Sequence, residues 1–506
     1  MKRWATLLAC AVLTAACGTT VPRTGLSSSA GGADGLGGAG LGGLGTVTTP
    51  VTSGVGAATP GAGTGTGIGT GVGSGTATVT AQGGTSTTLG TGSTQDATIA
   101  AQSGPSGTPI PAGGDIKVAF FYVDGGNQVL SSVFPGTSVS FGNGQDEAQS
   151  LVNYVNAHGG INGRDLKPYY IPIEATNSGN TALQEACLGA VEDDHPFVIL
   201  SIFNVSEGLA ACASQTHTLF LDVALGAGDN TIYNTAPNYL FTPTQISRDA
   251  EQQLILGLAH AEGRITPKTR IGILSESDDP MYGHVVTNSI EPLLKSWGIP
   301  YDAQSLENGA DTSGMSSAVL KFKTTNVSAV VFSLGSGGIP EVLFMDAAAE
   351  QAFIPAYLMG DSTDTSFVGS SGSASEVERI WGAGTMPLAN VATGQYATTP
   401  NEQACITLMN ASFDAGYRDR GTSLTATLYC DLVDVFVAVG KAVQGPLDTA
   451  SWVAAYRGFG TRYSPVTTFA TDFSGAANYG ASEYRELSWQ AACACVTYTS
   501  PIRPIG

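Results

Sequence analysis

Basic residues are scarce. The 506-residue chain has 21 Lys and Arg against 41 Asp and Glu, a formal charge of −20 at pH 7, and only 12% of its positions are charged. Nucleic acids and anionic lipid surfaces are met by clustered cations, so the composition excludes both as electrostatic partners. Histidine is scarcer still, with His158, His195, His217, His260 and His284 standing singly along the chain. HExxH, GxSxG and GxxxxGK[ST] are all missing, so no zinc-protease, serine-hydrolase or P-loop signature nominates an enzyme. His195 follows Asp193-Asp194, and a polar loop before a strand accounts for that group better than a base or metal site. No cofactor and no metal are expected. Beyond residue 17 no run reaches 18 uncharged apolar residues, so the sequence predicts no membrane-crossing helix.

Glycine is abundant and unevenly placed. Of 67 glycines, 28 fall between residues 18 and 113, where only Arg23, Asp34 and Asp96 are charged. Ahead of them, Lys2 and Arg3 precede an apolar run over 4–16 that is too short to span a bilayer. Residues 1–16 are therefore expected to be an export signal. The run ends Leu13-Thr14-Ala15-Ala16-Cys17-Gly18, which resembles a bacterial lipobox and makes Cys17 the expected lipidation site. Thr14 departs from that pattern, since Leu is usual there and stands one place earlier. Residues 17–114 lack the apolar side chains to offset the entropy of ordering, and are expected to form a disordered tether. A Gly-rich coil of this length spans roughly 55 Å on average. Gly35-Leu36-Gly37-Gly38-Ala39-Gly40 matches GxGxxG, but no strand precedes it and no helix follows, so it is a chance match.

From Asp115 onward, short apolar runs alternate with amphipathic stretches. Strands are expected at 116–123, 169–173, 197–203 and 218–223, then at 270–274, 327–332 and 354–359. Helices are expected at 145–158, from a Thr181-x-x-Gln184 capping box, through Cys212, and at 249–262, 283–297, 313–322, 340–352, 401–413 and 423–443. This grammar predicts an α/β protein of two Rossmann-like lobes with parallel sheets and right-handed crossovers.

Particular phrases carry a resemblance. Gly159-Gly160-Ile161-Asn162-Gly163-Arg164, Asp279-Pro280-Met281-Tyr282-Gly283 and Met359-Gly360-Asp361 are similar to turns of the type I solute-binding proteins of the branched-chain amino-acid family. These are extracytoplasmic receptors of ABC importers, and the likeness covers roughly residues 115 to 497. It implies a three-crossing hinge near Thr242-Pro243, Met386-Pro387 and Val466-Thr467. The first lobe would comprise 115–243 and 388–465, the second 244–387 and 466–497, and 498–506 a C-terminal tail. A small-molecule solute would bind between the lobes, and ABC permease subunits would be the partners of a monomeric receptor. A surface sensor of the same fold, signalling to a partner protein, is the alternative.

The resemblance places candidate ligand-binding residues after the strands: Phe141, Asn204, Ser206, Ala224 and Gly226 in the first lobe, and Tyr282, Ser336, Asp361 and Asp364 in the second. Phe141 stands where the family commonly has Tyr. Asp361 or Asp364 would meet the ligand's ammonium, and Ser336 would offer a backbone NH at a helix start. The loop Asp222-Val223-Ala224-Leu225-Gly226-Ala227-Gly228 lacks the hydroxyl donors that grip a carboxylate, and Asp222 would repel one. The expected ligand is therefore a small polar solute that is neutral or cationic, such as an amide, polyol or amine.

Six cysteines remain after Cys10 and Cys17, and export permits disulfides among them. Six allow 15 connectivities. With strand order 2-1-3, the helices bearing Cys187 and Cys212 become neighbours on one sheet face. Cys405 and Cys430 sit on consecutive helices, which leaves Cys493 with Cys495.

Overall fold

The first strand, β1 (Ile116–Asp124), is a nearly continuous apolar run because helices cover both of its faces. Val118 and Phe120 enter one buried cluster while Ala119 and Phe121 enter another. Around it assemble β2 (Leu166–Glu174), β3 (Val198–Ser201), β4 (Leu219–Asp222) and β5 (Leu240–Phe241), in the order β2-β1-β3-β4-β5, all parallel. The computed structural model describes residues 113–133, 140–175, 179–224, 226–335, 337–413, 415–418 and 420–506. The expected signal, the lipidation site Cys17, the tether through residue 112 and the candidate Ser336 lie outside these residues.

The second sheet repeats the plan with β6 (Ile271–Glu276), β7 (Tyr301–Leu306), β8 (Ala329–Ser333), β9 (Ala356–Met359) and β10 (Ile380–Gly384). Here too alternate residues serve opposite clusters: Val330 and Phe332 one, Ala329 and Val331 the other. The sheet is parallel, as expected, through β10, and antiparallel strands extend it at one edge. β11 (Glu483–Gln490), β12 (Cys495–Tyr498) and β13 (Arg503–Pro504) join antiparallel, giving the order β12-β11-β10-β9-β8-β6-β7 with β13 beside β11. The segment expected as a tail is thus partly sheet. Arg503 pairs with Glu486 at 2.7 Å, and Ile505 N–H donates to Ser482 O at 2.8 Å.

After β10 the chain returns to the first lobe. Helix Arg420–Ala442 contributes Leu432, Val433, Phe436 and Val439 to the cluster beneath β1. By length and composition this helix could cross a membrane, yet 83% of its most apolar window is buried inside the protein. It is a core helix.

Several local elements differ from the expected ones. The capping box from Thr181 does not form: helix Asn180–Asp194 starts after Gly179 with no side-chain cap. Asn180 Oδ1 instead accepts from Gly208 N–H at 2.5 Å, tying this helix to the next. The single helix expected at 283–297 is divided into Pro280–Val285, a π-helical stretch Val286–Ile290 and Glu291–Ser296. β7 and β10 to β12 went unpredicted; β7, for example, is a mostly polar edge strand.

The GGINGR phrase is a folding device. A Cβ on Gly160, at φ +59°, would lie 2.0 Å from Arg164 O, so only glycine fits. Ile161 bridges to Arg164 and packs where Gly440 leaves room on the long core helix.

Three disulfides are present: Cys187–Cys212, Cys405–Cys430 and Cys493–Cys495. The first joins helices Asn180–Asp194 and Glu207–Thr216, neighbours on one face because β1 lies between β2 and β3. Replacing Cys187 and Cys212 together by alanine is expected to cost about 3 kcal/mol, the entropy of reopening their loop in the unfolded chain. A denaturant melt reads this directly, and an unchanged midpoint would show that helix packing alone holds the pair.

Candidate functional site

The loops that follow β4 and β8 meet at one side chain, Arg248. It lies in the first turn of helix Arg248–Ala261, just after the chain leaves the first sheet. Its Nε donates to Ala227 O at 3.0 Å, in the first-lobe loop, and its Nη1 to Leu334 O at 3.0 Å, in the second-lobe loop. The guanidinium also lies 5.2 Å from the centre of the Tyr282 ring. The same helical turn reaches outward in both directions. Asp249 accepts from Asn230 N–H of the first lobe and from Ser289 Oγ–H of the second. Glu251 accepts from Ser362 N–H and Oγ–H, each at 2.8 Å, and Gln252 Nε2 donates to Phe332 O at 3.1 Å.

Tyr282 sits inside this seam. It is 6% exposed, and with Met281 it joins the apolar cluster that includes Phe203, Val205, Ala227 and Ile232 of the first lobe. Beside it, His284 Nδ1 lies 3.4 Å from Asp229 Oδ2 and 3.5 Å from Glu207 Oε1, both first-lobe carboxylates. The lobes are therefore closed on each other along this line.

The other expected site residues fall in different surroundings. Ala224 and Gly226 are buried in the loop that Arg248 touches, and Ala224 N–H donates to Asp222 Oδ1 at 3.0 Å. Asn204 is half-buried in the loop after β3, and its side chain has no hydrogen-bond partner among the described residues. Ser206 caps helix Glu207–Thr216 by accepting from Leu209 N–H. Phe141 is 36% exposed, packed near Gly126, and its N–H donates to Asn127 Oδ1 at 2.8 Å. Asp364 caps helix Thr365–Ser371 by accepting from Phe367 N–H.

Asp361 belongs to the hinge. Its carboxylate accepts from Thr385 N–H at 2.7 Å, Thr385 Oγ1–H at 2.5 Å, Met386 N–H at 3.2 Å and Asn390 Nδ2–H at 2.6 Å. It thereby clamps the second passage between the lobes. Asp431, on the long core helix, does the same for the third. It accepts from Val466 N–H, Thr467 N–H, Thr467 Oγ1–H and Tyr463 Oη–H. At the first passage, Thr242 N–H donates to Asn478 O at 2.7 Å, while Gly480 and Ala481 N–H donate to Gln245 O. The passages also bind each other, since Thr385 O accepts from Phe469 N–H and Thr468 Oγ1–H.

Acidic groups gather around Arg248. Glu276, at the end of β6, accepts from Gly335 N–H at 2.6 Å, and burial with Asp278 nearby pushes its carboxyl up to about 8. Burial raises Glu341 well above the carboxylate range and raises Glu251 as well. Asp222 is fully buried at the end of β4, and desolvation lifts it far above its usual value. Burial thus disfavours the charged form of Asp222, which weakens the repulsion of a carboxylate expected from the sequence. Among the described residues, Asp222 Oδ2, Glu341 Oε2 and Gln252 Oε1, and Thr244 Oγ1 and Gln245 Oε1 at the first hinge passage, are buried without hydrogen-bond partners. Among the described residues, no group of His, Cys, Asp or Glu is arranged to hold a metal ion.

Arg248, Gln252, Glu276 and Glu341 were not singled out from the sequence. One signal was available: Arg248 follows the capping Ser247, and a cation in the first helical turn opposes the macrodipole. Such a residue needs a tertiary reason to be there.

The family model for periplasmic binding proteins matches residues 132–485. No curated protein matches the chain. Among solved structures, a branched-chain amino-acid ABC transporter protein from Thermus thermophilus with bound valine is 14% identical. It has a TM-score of 0.58, over 77% of this chain and 97% of that one. A solute-binding protein from Rhodopseudomonas palustris in complex with 4-hydroxybenzoate is 12% identical, TM-score 0.57, over 77% and 97%. An extracellular ligand-binding receptor from Verminephrobacter eiseniae is 13% identical, TM-score 0.56, over 76% and 100%. Two α/β lobes on a three-passage hinge, with the family match across most of the folded chain, place this protein among the type I periplasmic binding proteins.

Proposed function

We propose that the protein captures a small polar solute, neutral or cationic, at the seam around Arg248 and delivers it to an ABC importer. It acts on the outer face of the cytoplasmic membrane, held there through lipidated Cys17 and the Gly-rich tether. The observation that supports the ligand class is the pair of buried amide oxygens without partners among the described residues, Gln252 Oε1 and Gln245 Oε1. Buried acceptors that lack donors are costly, and a ligand rich in N–H or O–H groups would satisfy them. Amides, polyols and amines have that character.

Relatives with this fold hold valine in one case and 4-hydroxybenzoate in another, so the fold does not fix the ligand. Binding would proceed by hinge closure, the ligand favouring the closed state through contacts with both lobes. A thermal-shift panel on the purified protein tests this reading. Amides, polyols or amines are expected to raise the melting temperature, with each tenfold ligand increase above Kd adding about 1.4 kcal/mol. Stabilisation by micromolar leucine, isoleucine or valine, with no response to the others, would replace the proposed ligand class with branched-chain amino acids.

A further inference from the structure

The third disulfide differs from the other two in every respect that bears on stability. Cys187–Cys212 and Cys405–Cys430 each span 25 residues, join separate helices and lie in the core. Cys493–Cys495 spans two residues at the tip of the β11–β12 hairpin, with Cys493 exposed and Cys495 at the buried margin. So short a closed loop removes little entropy from the unfolded chain, and chain-entropy stabilisation gives no reason for the bond. Nor does the bond set the hairpin. Leu487, Ser488, Trp489 and Gln490 pair with Tyr498, Thr497, Val496 and Cys495 along the backbone ladder. Between the two sulfurs, Ala494 is held at φ +49°, a left-handed conformation disfavoured for a residue with a Cβ. No charged residue occurs from Leu487 to Ile502.

We propose that Cys493–Cys495 is a thiol–disulfide exchange site, distinct from the solute seam, that reacts with small extracytoplasmic thiols. A thiolate attacks the exposed Cys493 sulfur, forming a mixed disulfide there and expelling Cys495 as a thiolate, which takes up a proton. A second thiolate then attacks the outer sulfur of the mixed disulfide. It leaves as a small-molecule disulfide, and Cys493 departs as a thiolate and is protonated. Overall, two thiols are oxidised to one disulfide and the protein bond is reduced by two electrons to a dithiol. Small disulfides run the same steps in reverse. Exposure makes the sulfur reachable, and strained or exposed disulfides are the labile ones.

The test is graded reduction of the folded protein with dithiothreitol, alkylation of freed thiols, and peptide mapping. Cys493 and Cys495 are expected to be labelled at about tenfold lower reductant than the other four cysteines. The melting transition should stay cooperative after that first step. Oxidised glutathione, added to the selectively reduced protein, should re-form the bond. A Cys495→Ser variant should hold glutathione as a mixed disulfide on Cys493. Simultaneous labelling of all six cysteines, or a Cys493–Cys495 bond that outlasts the others, would overturn the proposal. So would a reduced pair that oxidised glutathione leaves unchanged.

Discussion

Replacing Asp431 by alanine is expected to destabilise the protein by about 4 kcal/mol or more. Its carboxylate is buried completely and accepts from Tyr463 Oη at 2.5 Å, Val466 N at 2.7 Å and Thr467 N at 2.8 Å, as well as from Thr467 Oγ1. Truncation strands all four donors, and each buried donor left unmade costs about 1–3 kcal/mol. Water entering the cavity offsets part of this, which sets the lower figure. Asp431→Asn keeps one accepting oxygen but turns an NH2 group toward donors, so an intermediate loss is expected. Guanidinium unfolding measures both. A loss under about 1 kcal/mol for the alanine variant would mean that the third passage is held by its backbone alone. The same change should loosen closure, because Asp431 anchors residues 466–467 to the first lobe's long helix. Solution scattering on a folded Asp431→Asn protein would then show a larger radius than the parent.

The sequence exposed the fold where apolar pattern and topology coincide. β1, β6 and β8 are covered on both faces, so their runs are almost wholly apolar and stand out against polar surroundings. β7 lies at a sheet edge as Tyr-Asp-Ala-Gln-Ser-Leu and has too little buried surface to show such a pattern. β11 depends on antiparallel pairing with β10, from a distant part of the chain, which no local period reports. The Cys187–Cys212 pair followed from strand order, because β1 between β2 and β3 brings two helices side by side. The site was harder to read. Asp361 follows a strand, as a ligand-binding acid would, yet its oxygens face the backbone of residues 385–386, far along the chain. Only tertiary contact distinguishes a hinge clamp from a ligand contact. Arg248 shows the converse, a residue in an unremarked helical turn that becomes the meeting point of both lobes.

Stability is expected to fall as pH rises from about 5 to 8, by roughly 3–5 kcal/mol, the reverse of a protein held by ion-paired carboxylates. Burial raises Glu276 to about 8, Glu147 and Asp364 to about 7, and Asp279 to about 6. Glu341 and Asp222 are raised further. In the unfolded chain such groups titrate near 4. Between those limits the folded state binds more protons than the unfolded one, so ν_U − ν_N is negative and unfolding becomes easier with rising pH. The stabilisation is complete below about pH 4 and is lost as each group passes through its folded value. One pKa unit is about 1.4 kcal/mol, and the full sum exceeds any plausible net stability. Relaxation and water entry raise the effective dielectric and leave the smaller figure. Denaturant unfolding at pH 5, 6.5 and 8 reads the slope. Glu276→Gln isolates one contributor, since the amide keeps an acceptor for Gly335 N–H and carries no charge at any pH. The variant should match the parent at pH 5 and exceed it at pH 8. A parent whose stability stays level across that range, or rises, would show that these carboxyls are solvated enough to ionise in place.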